Sequence, residues 1–284
     1  MIQAVIDSGA TKSDWRILNE QSTAAFSAKG LNPYFLSRED IIAIIHQQVL
    51  PQLTNQQISR IYFYGAGCGK AVRRQQVADA LNQCFPGSEI FVDTDLLAAA
   101  RALLKAEPGF AAILGTGTNS GLYDGKQVIS SIDSLGYLLG DEGSGAAIGK
   151  KMLRDYLRGY FPVELEQKFA HSYPFNREQV LEQLYSKPSP SSFLGSFMPF
   201  AAEHKSHPYL QKLIRESFSE FFIHLISRYE NFQDYPMCCT GSVSYLFRDL
   251  LTEAAKDFGM RIQKIIPAPI DELVAYHRGV DAAF

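Results

Sequence analysis

Two loops rich in glycine and small hydroxyl residues carry the residue types that could hold a polyphosphate. The first, residues 7–13, reads Asp-Ser-Gly-Ala-Thr-Lys-Ser, and the second, residues 115–120, reads Gly-Thr-Gly-Thr-Asn-Ser. Each loop follows an apolar run, and Gly9 aligns with Gly117 at an offset that is constant along both loops. Glycine allows backbone N–H groups to approach a ligand closely, and hydroxyl side chains add donors. We therefore predict a nucleotide-using enzyme whose two related halves each contribute one phosphate loop.

The sequence departs from two common nucleotide-binding motifs. A P-loop requires Ser or Thr after Gly-Lys, but Ala71 follows Gly69 and Lys70, and Tyr64 stands where the motif needs its first glycine. The dinucleotide fingerprint requires a third glycine at the position of Ser120. Hydride transfer is therefore disfavoured, and phosphoryl transfer is favoured.

Asp7 ends the apolar run before the first loop and is predicted to contact Mg²⁺. A carboxylate beside phosphates would repel them unless a cation lay between, and Mg²⁺ prefers one or two carboxylates together with phosphates. Lys12 is predicted to neutralise phosphate charge. The alternative is an ordinary β-turn, in which Asp and Gly are frequent. The matching second loop favours phosphate binding.

Asp93 and Asp95 lie where a short apolar strand is predicted to meet a helix. A phosphotransferase needs a base that accepts the proton of the attacking hydroxyl. We predict that Asp95 is this base and that Asp93 caps the helix or contacts the metal. The alternative is that either aspartate serves only as a helix N-cap.

Two further loops are candidates for substrate binding. Residues 140–145, Gly-Asp-Glu-Gly-Ser-Gly, place two acids among three glycines. They could hydrogen-bond a polyhydroxylated substrate or the metal, or they could simply begin a helix, where the macrodipole favours acids. Residues 240–242, Thr-Gly-Ser, could approach a nucleotide base or ribose, although the signal is short. Surface positions without a function are predicted for several basic residues, namely Lys70, Arg73, Arg74, His204, His207 and His277.

Composition limits the class of protein. The chain has 284 residues, which favours two domains, and its formal net charge of −3 disfavours nucleic acid and anionic membranes as partners. No apolar run approaches the ~20 residues that a membrane span needs, and the first residues lack a signal peptide's basic region. The four cysteines lack C-x-x-C spacing, which predicts free buried thiols and a cytoplasmic location.

Predicted strands alternate with predicted helices, which indicates an α/β fold with a mixed sheet in each half. The Glu-Pro-Gly sequence at 107–109 is the predicted boundary between a domain at 1–107 and a domain at 108–269. The second domain is expected to contain a helical insertion at about 158–235, including one long helix over 208–232. A final helix within 270–284 is expected to pack back on the first domain.

The order of motifs resembles that of the N-acetylglucosamine kinase family. The run D-x-G-x-T-K is followed by D-T-D, G-T-G-T-N-S and G-D-E-G-S-G, between Asp7 and about Gly149. This family includes the BadF/BadG/BcrA/BcrD-type ATPases and is similar to the hexokinase–actin–Hsp70 superfamily. The resemblance implies two ribonuclease-H-like domains around a cleft for ATP and Mg²⁺, each with a mixed five-stranded sheet and flanking helices. It also implies a homodimer, as is common among related enzymes.

The resemblance assigns roles to residues by position. Asp95 aligns with the catalytic base. The phosphates of ATP are assigned to Gly9, Thr11, Lys12, Thr116, Gly117 and Asn119, and the adenosine to Gly241 and Ser242. The sugar is assigned to Asn32, Asp95, Thr116, Gly136, Tyr137 and Asp141. The family often has Gly-Trp-Gly where this chain has Gly136, Tyr137 and Leu138, so the identity of the sugar stays open.

Three functions follow from these observations. The favoured one is an ATP-dependent kinase that phosphorylates an amino sugar or N-acetylhexosamine, of the N-acetylglucosamine or glucosamine kind. The alternative is a regulatory ATPase of the reductase-activator type, coupled to a partner protein. Such activators hold an iron–sulfur cluster through cysteines, and no matching cysteine motif is present. A sugar sensor without activity is disfavoured because Asp7, Asp95 and both loops are intact.

Overall fold

The computed structural model describes residues 2–19, 22–53, 57–187 and 189–281. The chain forms two compact units. The first comprises Met1–Ala106, Gly125–Gln127 and Pro269–Phe284, and the second comprises Glu107–Asp124 and Val128–Ala268.

In the described residues, the first segment of the first unit, which ends at Ala106, forms five strands and three helices. The strands are β1 (Gln3–Ser8), β2 (Lys12–Leu18), β3 (Thr23–Lys29), β4 (Arg60–Gly65) and β5 (Glu89–Thr94). The helices are α1 (Arg38–Ile44), which continues as a π-helical turn at Ile45–Val49 and a 3₁₀ turn at Leu50–Gln52, α2 (Ala71–Cys84) and α3 (Asp95–Leu104). Helix α1 starts at a capping box, in which Ser37 accepts from the Asp40 N–H and the Asp40 carboxylate accepts from the Ser37 N–H.

The first sheet is mixed, with the strand order β3-β2-β1-β4-β5. Strands β1, β4 and β5 are parallel, whereas β2 pairs antiparallel with β1 and β3. Asp7 lies beside Tyr64, and Tyr64 lies beside Asp93 in the next strand. Because the carboxyl ends of parallel strands meet at one edge, Asp7 and the β5–α3 junction share that edge.

The sequence predicts strands at 2–6 and 14–18 on either side of the first loop, and further strands at 61–64 and 90–92, but none that corresponds to β3. Most side chains of β3 are exposed, and its sequence, Thr-Ala-Ala-Phe-Ser-Ala-Lys, lacks an apolar alternation. An edge strand of this kind is specified by its pairing with β2 rather than by a pattern of its own.

The second unit repeats the mixed sheet and adds a helical layer. Its strands are β6 (Gly109–Leu114), β7 (Thr118–Tyr123), β8 (Val128–Ser131), β9 (Met237–Thr240) and β10 (Ile262–Ile266), in the order β10-β9-β6-β7-β8. Its helices are α4 (Gly136–Leu139), α5 (Gly145–Leu157), α6 (Val163–Ser172), α7 (Arg177–Tyr185), α8 (Pro190–Gly195), α9 (Met198–Glu203), α10 (Pro208–His224), α11 (Ser242–Leu246) and α12 (Arg248–Asp257). The five-stranded mixed sheet predicted for each half is confirmed.

The long helix predicted over 208–232 is too long. Helix α10 ends at His224, and a 3₁₀ turn follows at Ile226–Arg228. The Ser227 hydroxyl and the Arg228 guanidinium both donate to the Ile223 carbonyl oxygen, at 3.1 and 3.0 Å. These bonds satisfy the Ile223 carbonyl oxygen, which in a continuing helix would accept from the backbone N–H four residues later.

Helix α13 (Ile270–Asp281) returns to the first unit and packs against α3, β1 and β2. Its residues Leu273 and His277 are buried. The prediction of a surface position for His277 is therefore wrong. In the part of the chain that the structure describes, no helix has both the length and the apolar character needed to cross a membrane.

Candidate functional site

The first glycine loop is a tight hairpin between β1 and β2. The Gly9 N–H donates to the Lys12 carbonyl oxygen at 2.9 Å, and the tip residues Ala10 and Thr11 are exposed. The Lys12 ammonium is exposed and lies 2.9 Å from an Asp14 carboxylate oxygen. The hairpin therefore presents its tip and one cationic side chain to the solvent.

Gly30 supports this hairpin from behind. Its N–H donates to the Thr11 carbonyl oxygen at 3.0 Å, and a Cβ added to Gly30 would lie 2.4 Å from the Gly9 carbonyl oxygen. Any larger residue at this position would displace the loop. The sequence gives no motif for this role because Gly30 is distant from the loop in the chain.

Asp7 is the next-to-last residue of β1, beside the hairpin, and is half-buried. Burial and, after it, the negative charges of Asp95 and Asp14 raise the pKa of its carboxyl to about 7, while Lys12 opposes them. A divalent cation would offset this excess of negative charge, so the site fits Mg²⁺. Among the described side chains, no three His, Cys, Asp or Glu residues form a metal-binding group. Mg²⁺ at Asp7 would therefore need phosphate and water as its other ligands.

Asp95 is the first residue of α3 and is half-buried. Its Oδ1 accepts from the Leu96 N–H at 2.8 Å, in the first turn of the helix. The N-cap is Thr94, whose hydroxyl accepts from the Leu97 N–H at 3.2 Å. The prediction that an aspartate caps this helix is wrong, because Asp93 Oδ1 instead accepts from the adjacent Thr94 N–H.

Asn32 lies against the loop that follows β4. Its amide oxygen accepts from the Tyr34 N–H at 2.9 Å, and a Cβ added to Gly67 would lie 2.3 Å from that oxygen. Gly67 has a φ of +83°, which favours glycine, so this loop can approach Asn32 closely. Arg73 donates to the Pro33 carbonyl oxygen, and its guanidinium carbon lies 3.9 Å from the centre of the Tyr34 ring.

Two predicted surface residues of α2 therefore have structural roles. Arg73 holds the Asn32 loop, and Arg74 donates to the Cys68 and Gly69 carbonyl oxygens at 2.9 and 3.0 Å. The interpretation of these arginines as a solvated face is wrong. Sequence reasoning missed their partners because those are backbone oxygens, which no residue pattern reveals.

Cys68 connects this loop to the carboxylates. Burial raises the pKa of the Cys68 thiol to about 12, and the negative charge of Asp95 is the next cause. The thiol therefore stays protonated, and Asp95 lies close enough for its charge to act on the thiol. Asn32, Asp7 and Asp95 all lie near this carboxyl edge of the first sheet. The four cysteines are buried and free, as the sequence predicts.

The second glycine loop joins β6 to β7 and is bonded to the start of α5. The Gly115 N–H donates to the Gly117 carbonyl oxygen at 3.0 Å. The Gly145 N–H donates to Gly115, and the Ala146 N–H donates to Thr116, at 2.8 and 3.0 Å. Thr116 is exposed, and Asn119 is half-buried on β7. The loop therefore has a fixed backbone and an accessible threonine.

Asp141 faces this second loop from the Gly-Asp-Glu-Gly sequence. Its backbone is left-handed, with a φ of +57°, and its Oδ1 accepts from the buried Thr118 N–H at 3.1 Å. Burial raises the pKa of the Asp141 carboxyl, and the bond from Thr118 lowers it. One carboxylate oxygen thus supports the loop, a contact that the predicted role in sugar binding did not include.

Gly241 brings a third turn to the same edge of the second sheet. Its φ is +117°, and a Cβ there would lie 2.4 Å from the Leu114 carbonyl oxygen. The start of α11 at Ser242 therefore lies beside the Gly115 loop, as an adenosine site near the phosphates would require. The assignment of Gly241 and Ser242 to adenosine stays a prediction.

Gly136 and Tyr137 lie in the short helix α4, and both are half-buried. Gly136 has a φ of +70°, and the Tyr137 carbonyl oxygen accepts from the Lys150 ammonium at 2.9 Å. Nearby, Leu138 and Leu139 are 72% and 78% exposed, so α4 presents apolar side chains to solvent. The assignment of Gly136 and Tyr137 to the sugar stays a prediction.

Gly9→Ala is expected to preserve folding and to weaken ATP binding about tenfold, or about 1.4 kcal/mol. Among the described atoms, a Cβ at Gly9 would contact the Lys12 carbonyl oxygen alone, at an ordinary 3.6 Å, so a loss of affinity would come from crowding of the phosphates. Calorimetric titration with ATP measures the effect. Gly69→Ala is the matched control, since a Cβ there would meet no described atom within 4 Å. Equal affinities for ATP in the two variants would show that the first loop does not bind the phosphates.

Asp141→Ala is expected to lower the free energy of unfolding by about 1–3 kcal/mol, because it leaves the buried Thr118 N–H without its acceptor. Asp141→Asn keeps an acceptor oxygen and should lose less. Urea titration of both variants measures the difference. If Asp141 served only to bind a sugar, both variants would unfold like the parent protein.

Comparison with solved structures gives close similarity over nearly the whole chain. A protein from Porphyromonas gingivalis, named "Putative N-acetylglucosamine Kinase", is 36% identical with a TM-score of 0.93, covering 97% of this chain and 98% of that one. A protein of the same name from Chromobacterium violaceum is 18% identical with a TM-score of 0.73, covering 97% and 98%. The ROK hexokinase from Thermus thermophilus is 12% identical with a TM-score of 0.50, covering 99% and 100%. The last two show a shared fold alone.

No family model matches the chain, and no curated protein sequence matches it. The similarity to the Porphyromonas gingivalis protein rests on 36% identical residues across almost the full length of both chains.

Proposed function

The chain belongs to the N-acetylglucosamine kinase family and is an ATP-dependent carbohydrate kinase, and on that premise we propose that its acceptor is an amino sugar or N-acetylhexosamine. Asp95 is the proposed general base. The single observation that carries this proposal is the meeting of Asp7, Asp95 and the Asn32 loop at one edge of the first sheet.

The proposed reaction transfers the γ-phosphoryl group of ATP to a sugar hydroxyl. Asp95 accepts the proton of that hydroxyl as its oxygen attacks phosphorus, and ADP leaves with the bridging oxygen. Because the protein forms no covalent bond in such a reaction, orientation and charge stabilisation supply the rate. Mg²⁺, when bound, would offset the charge of the phosphates, and Asp7 is the residue proposed to hold it.

The remaining roles are divided between the two units. Gly9 and Thr11, with the Lys12 ammonium, are proposed to bind phosphate, and Gly117 and its neighbours Thr116 and Asn119 to do so from the second unit. Gly241 and Ser242 are proposed for adenosine. Asn32, Thr116, Gly136, Tyr137 and Asp141 are proposed for the sugar, together with Asp95.

The acceptor is proposed from the name of the Porphyromonas gingivalis protein and from the polar side chains near Asp95. An amide such as Asn32 can donate to a sugar oxygen while its own oxygen stays bonded to the Tyr34 N–H. The buried free thiols also favour a reducing compartment, and we place the protein in the cytoplasm. A homodimer stays part of the proposal.

A panel of sugars tests the proposed function. The protein is incubated with Mg-ATP and one sugar at a time, including N-acetylglucosamine, glucosamine, N-acetylmannosamine and glucose, while ADP release and sugar phosphate are both measured. We expect one amino sugar or N-acetylhexosamine to stimulate ADP release at least tenfold, with one sugar phosphate formed per ADP.

Two outcomes would contradict the proposal. Steady ATP hydrolysis that no sugar changes would favour the regulatory ATPase, which acts on a partner protein. Equal stimulation of ADP release by glucose and by every amino sugar would be consistent with a sugar kinase but would contradict the proposed class of acceptor.

A further inference from the structure

Three side chains that the proposed reaction does not use form a chain of hydrogen bonds in the first unit. Arg101 of α3 donates to the Tyr64 hydroxyl at 2.6 Å, and that hydroxyl lies 3.0 Å from His277 Nε2 of α13. Tyr64 is 2% exposed and His277 is 4% exposed. One hydroxyl therefore joins a central strand, the helix that begins at Asp95, and a helix from a distant part of the chain.

Tyr64 lies between the two acidic positions of the sheet edge. It is paired in register with Asp7 on one side and with Asp93 on the other. Its side chain is directed toward α3 and α13, since it bonds Arg101 and His277. Asp95 is the first residue of α3, and Arg101 lies within two helical turns of it. The hydroxyl thus holds the same short helix that carries the proposed base.

The direction of each hydrogen bond among Arg101, Tyr64 and His277 follows from the chemistry of the three groups. The Arg101 guanidinium can only donate, so the Tyr64 oxygen accepts from it and its own proton is available to His277. The His277 ring is stacked on Tyr62, with ring centres 3.8 Å apart and planes at 23°. The Arg101 guanidinium carbon also lies 5.4 Å from the centre of the Tyr276 ring. Packing therefore fixes the orientation of the imidazole, and α13 contacts α3 directly.

We propose that Tyr64 is a positioning residue, whose hydroxyl holds α3 so that the Asp95 carboxylate reaches the sugar hydroxyl at the geometry of proton transfer. Arg101 and His277 complete this support. The inference rests on the proposed function of Asp95. A displacement of about 1 Å in a reacting group can cost about a hundredfold in rate, so a small shift of α3 is sufficient to matter.

Tyr64→Phe tests the proposal, with Tyr62→Phe as the matched control. Both variants remove one hydroxyl from the same strand, but the Tyr62 hydroxyl accepts from Arg60 Nη1 at 3.3 Å and bonds neither α3 nor α13 within the described residues. With the favoured sugar, Tyr64→Phe is expected to lower kcat about tenfold while KM for ATP and for the sugar changes less than twofold. Tyr62→Phe should keep kcat within twofold of the parent protein.

Substitution of His277 gives a test by rescue. His277→Gln places an amide where Nε2 lies and should retain most of kcat, whereas His277→Leu removes the polar partner and should resemble Tyr64→Phe. All assays use a temperature at which circular dichroism shows each variant folded. A fall in kcat that is equal in both His277 variants, or an unchanged kcat in Tyr64→Phe, would overturn the positioning role.

Hydrogen exchange measured by mass spectrometry tests whether the Tyr64 hydroxyl stabilises α3, and this measurement does not depend on kinase activity. Exchange in peptides covering α3 should rise at least fivefold in Tyr64→Phe relative to Tyr62→Phe, while exchange in α2 stays constant. Unchanged exchange in α3 would contradict the inference. A parent protein that phosphorylates no sugar would refute the proposed function, and the exchange of α3 would still show whether Tyr64 holds that helix.

Discussion

Asp95→Asn is expected to lower the rate of phosphoryl transfer about a thousandfold while the affinity for ATP changes less than threefold. An amide cannot accept the proton of the attacking hydroxyl, and general bases contribute about 10²–10⁴ in rate. The shape of the side chain is preserved, and the amide oxygen can still accept from the Leu96 N–H. Stopped assays of sugar phosphate measure the rate, and calorimetry measures ATP affinity.

Asp93→Asn is the matched control for this prediction. Asp93 lies at the same strand end, and its Oδ1 accepts from the Thr94 N–H, a bond that asparagine can keep. This variant should retain transfer within about fivefold. Normal turnover by Asp95→Asn would move the general base elsewhere, and equal losses in both variants would indicate damage to the β5–α3 junction.

Asp7→Asn is expected to lower transfer about a hundredfold at saturating Mg²⁺ and, without Mg²⁺, to stabilise the protein above pH 7. The first effect follows from the loss of the proposed metal contact. The second follows from the pKa of the Asp7 carboxyl, which burial and the Asp95 charge raise from 3.8 to about 7. The folded state therefore prefers the neutral form, which asparagine mimics at every pH.

The sign of the stability effect is fixed by this direction of the pKa shift. The stability from protonated Asp7 is fully present below the unfolded pKa of 3.8 and is lost as the pH rises through about 7. Asp7→Asn should thus match the parent protein near pH 4 and exceed it by about 2–4 kcal/mol at pH 8, at 1.36 kcal/mol per pKa unit.

Urea titrations of the two proteins at pH 4, 6 and 8, without Mg²⁺, measure this difference. Addition of Mg²⁺ at pH 8 should stabilise the parent protein more than Asp7→Asn, because only the parent protein has the ionised carboxylate. A difference in stability that is independent of pH would show that Asp7 ionises normally. Full activity of Asp7→Asn would assign the metal to another residue.

Sequence patterns predicted the parts of the fold that have local signals. Apolar runs that end in glycine loops identified β1 and β6, and the alternation of strands and helices predicted both mixed sheets. Strands β3 and β10 were not predicted. Most side chains of β3 are exposed, and β10 places Gln263 and Lys264 between its isoleucines, so neither strand has the pattern of a buried strand. The end of α10 depends on side chains that bond the Ile223 carbonyl oxygen.

At the candidate site, the sequence predicted which residues matter better than it predicted the contacts that those residues make. Asp7 and Asp95 were selected because each follows an apolar strand, and the structure places both at one sheet edge. The inward turn of Asp141 toward Thr118 depends on a left-handed backbone at a residue other than glycine, which sequence does not signal. The bond between Tyr64 and His277 joins residues 213 positions apart, beyond the reach of any periodicity.

Biosynthesis delays completion of the first unit. Tyr64 emerges from the ribosome 213 residues before its partner His277, which at about 5–20 residues per second is an interval of roughly ten to forty seconds. Every residue of the second unit is translated before Pro269, where the last segment of the first unit starts. The first unit is therefore completed last, although it begins first in the chain. Until α13 is made, the faces of α3 and β1 that it covers stay without their packing partner.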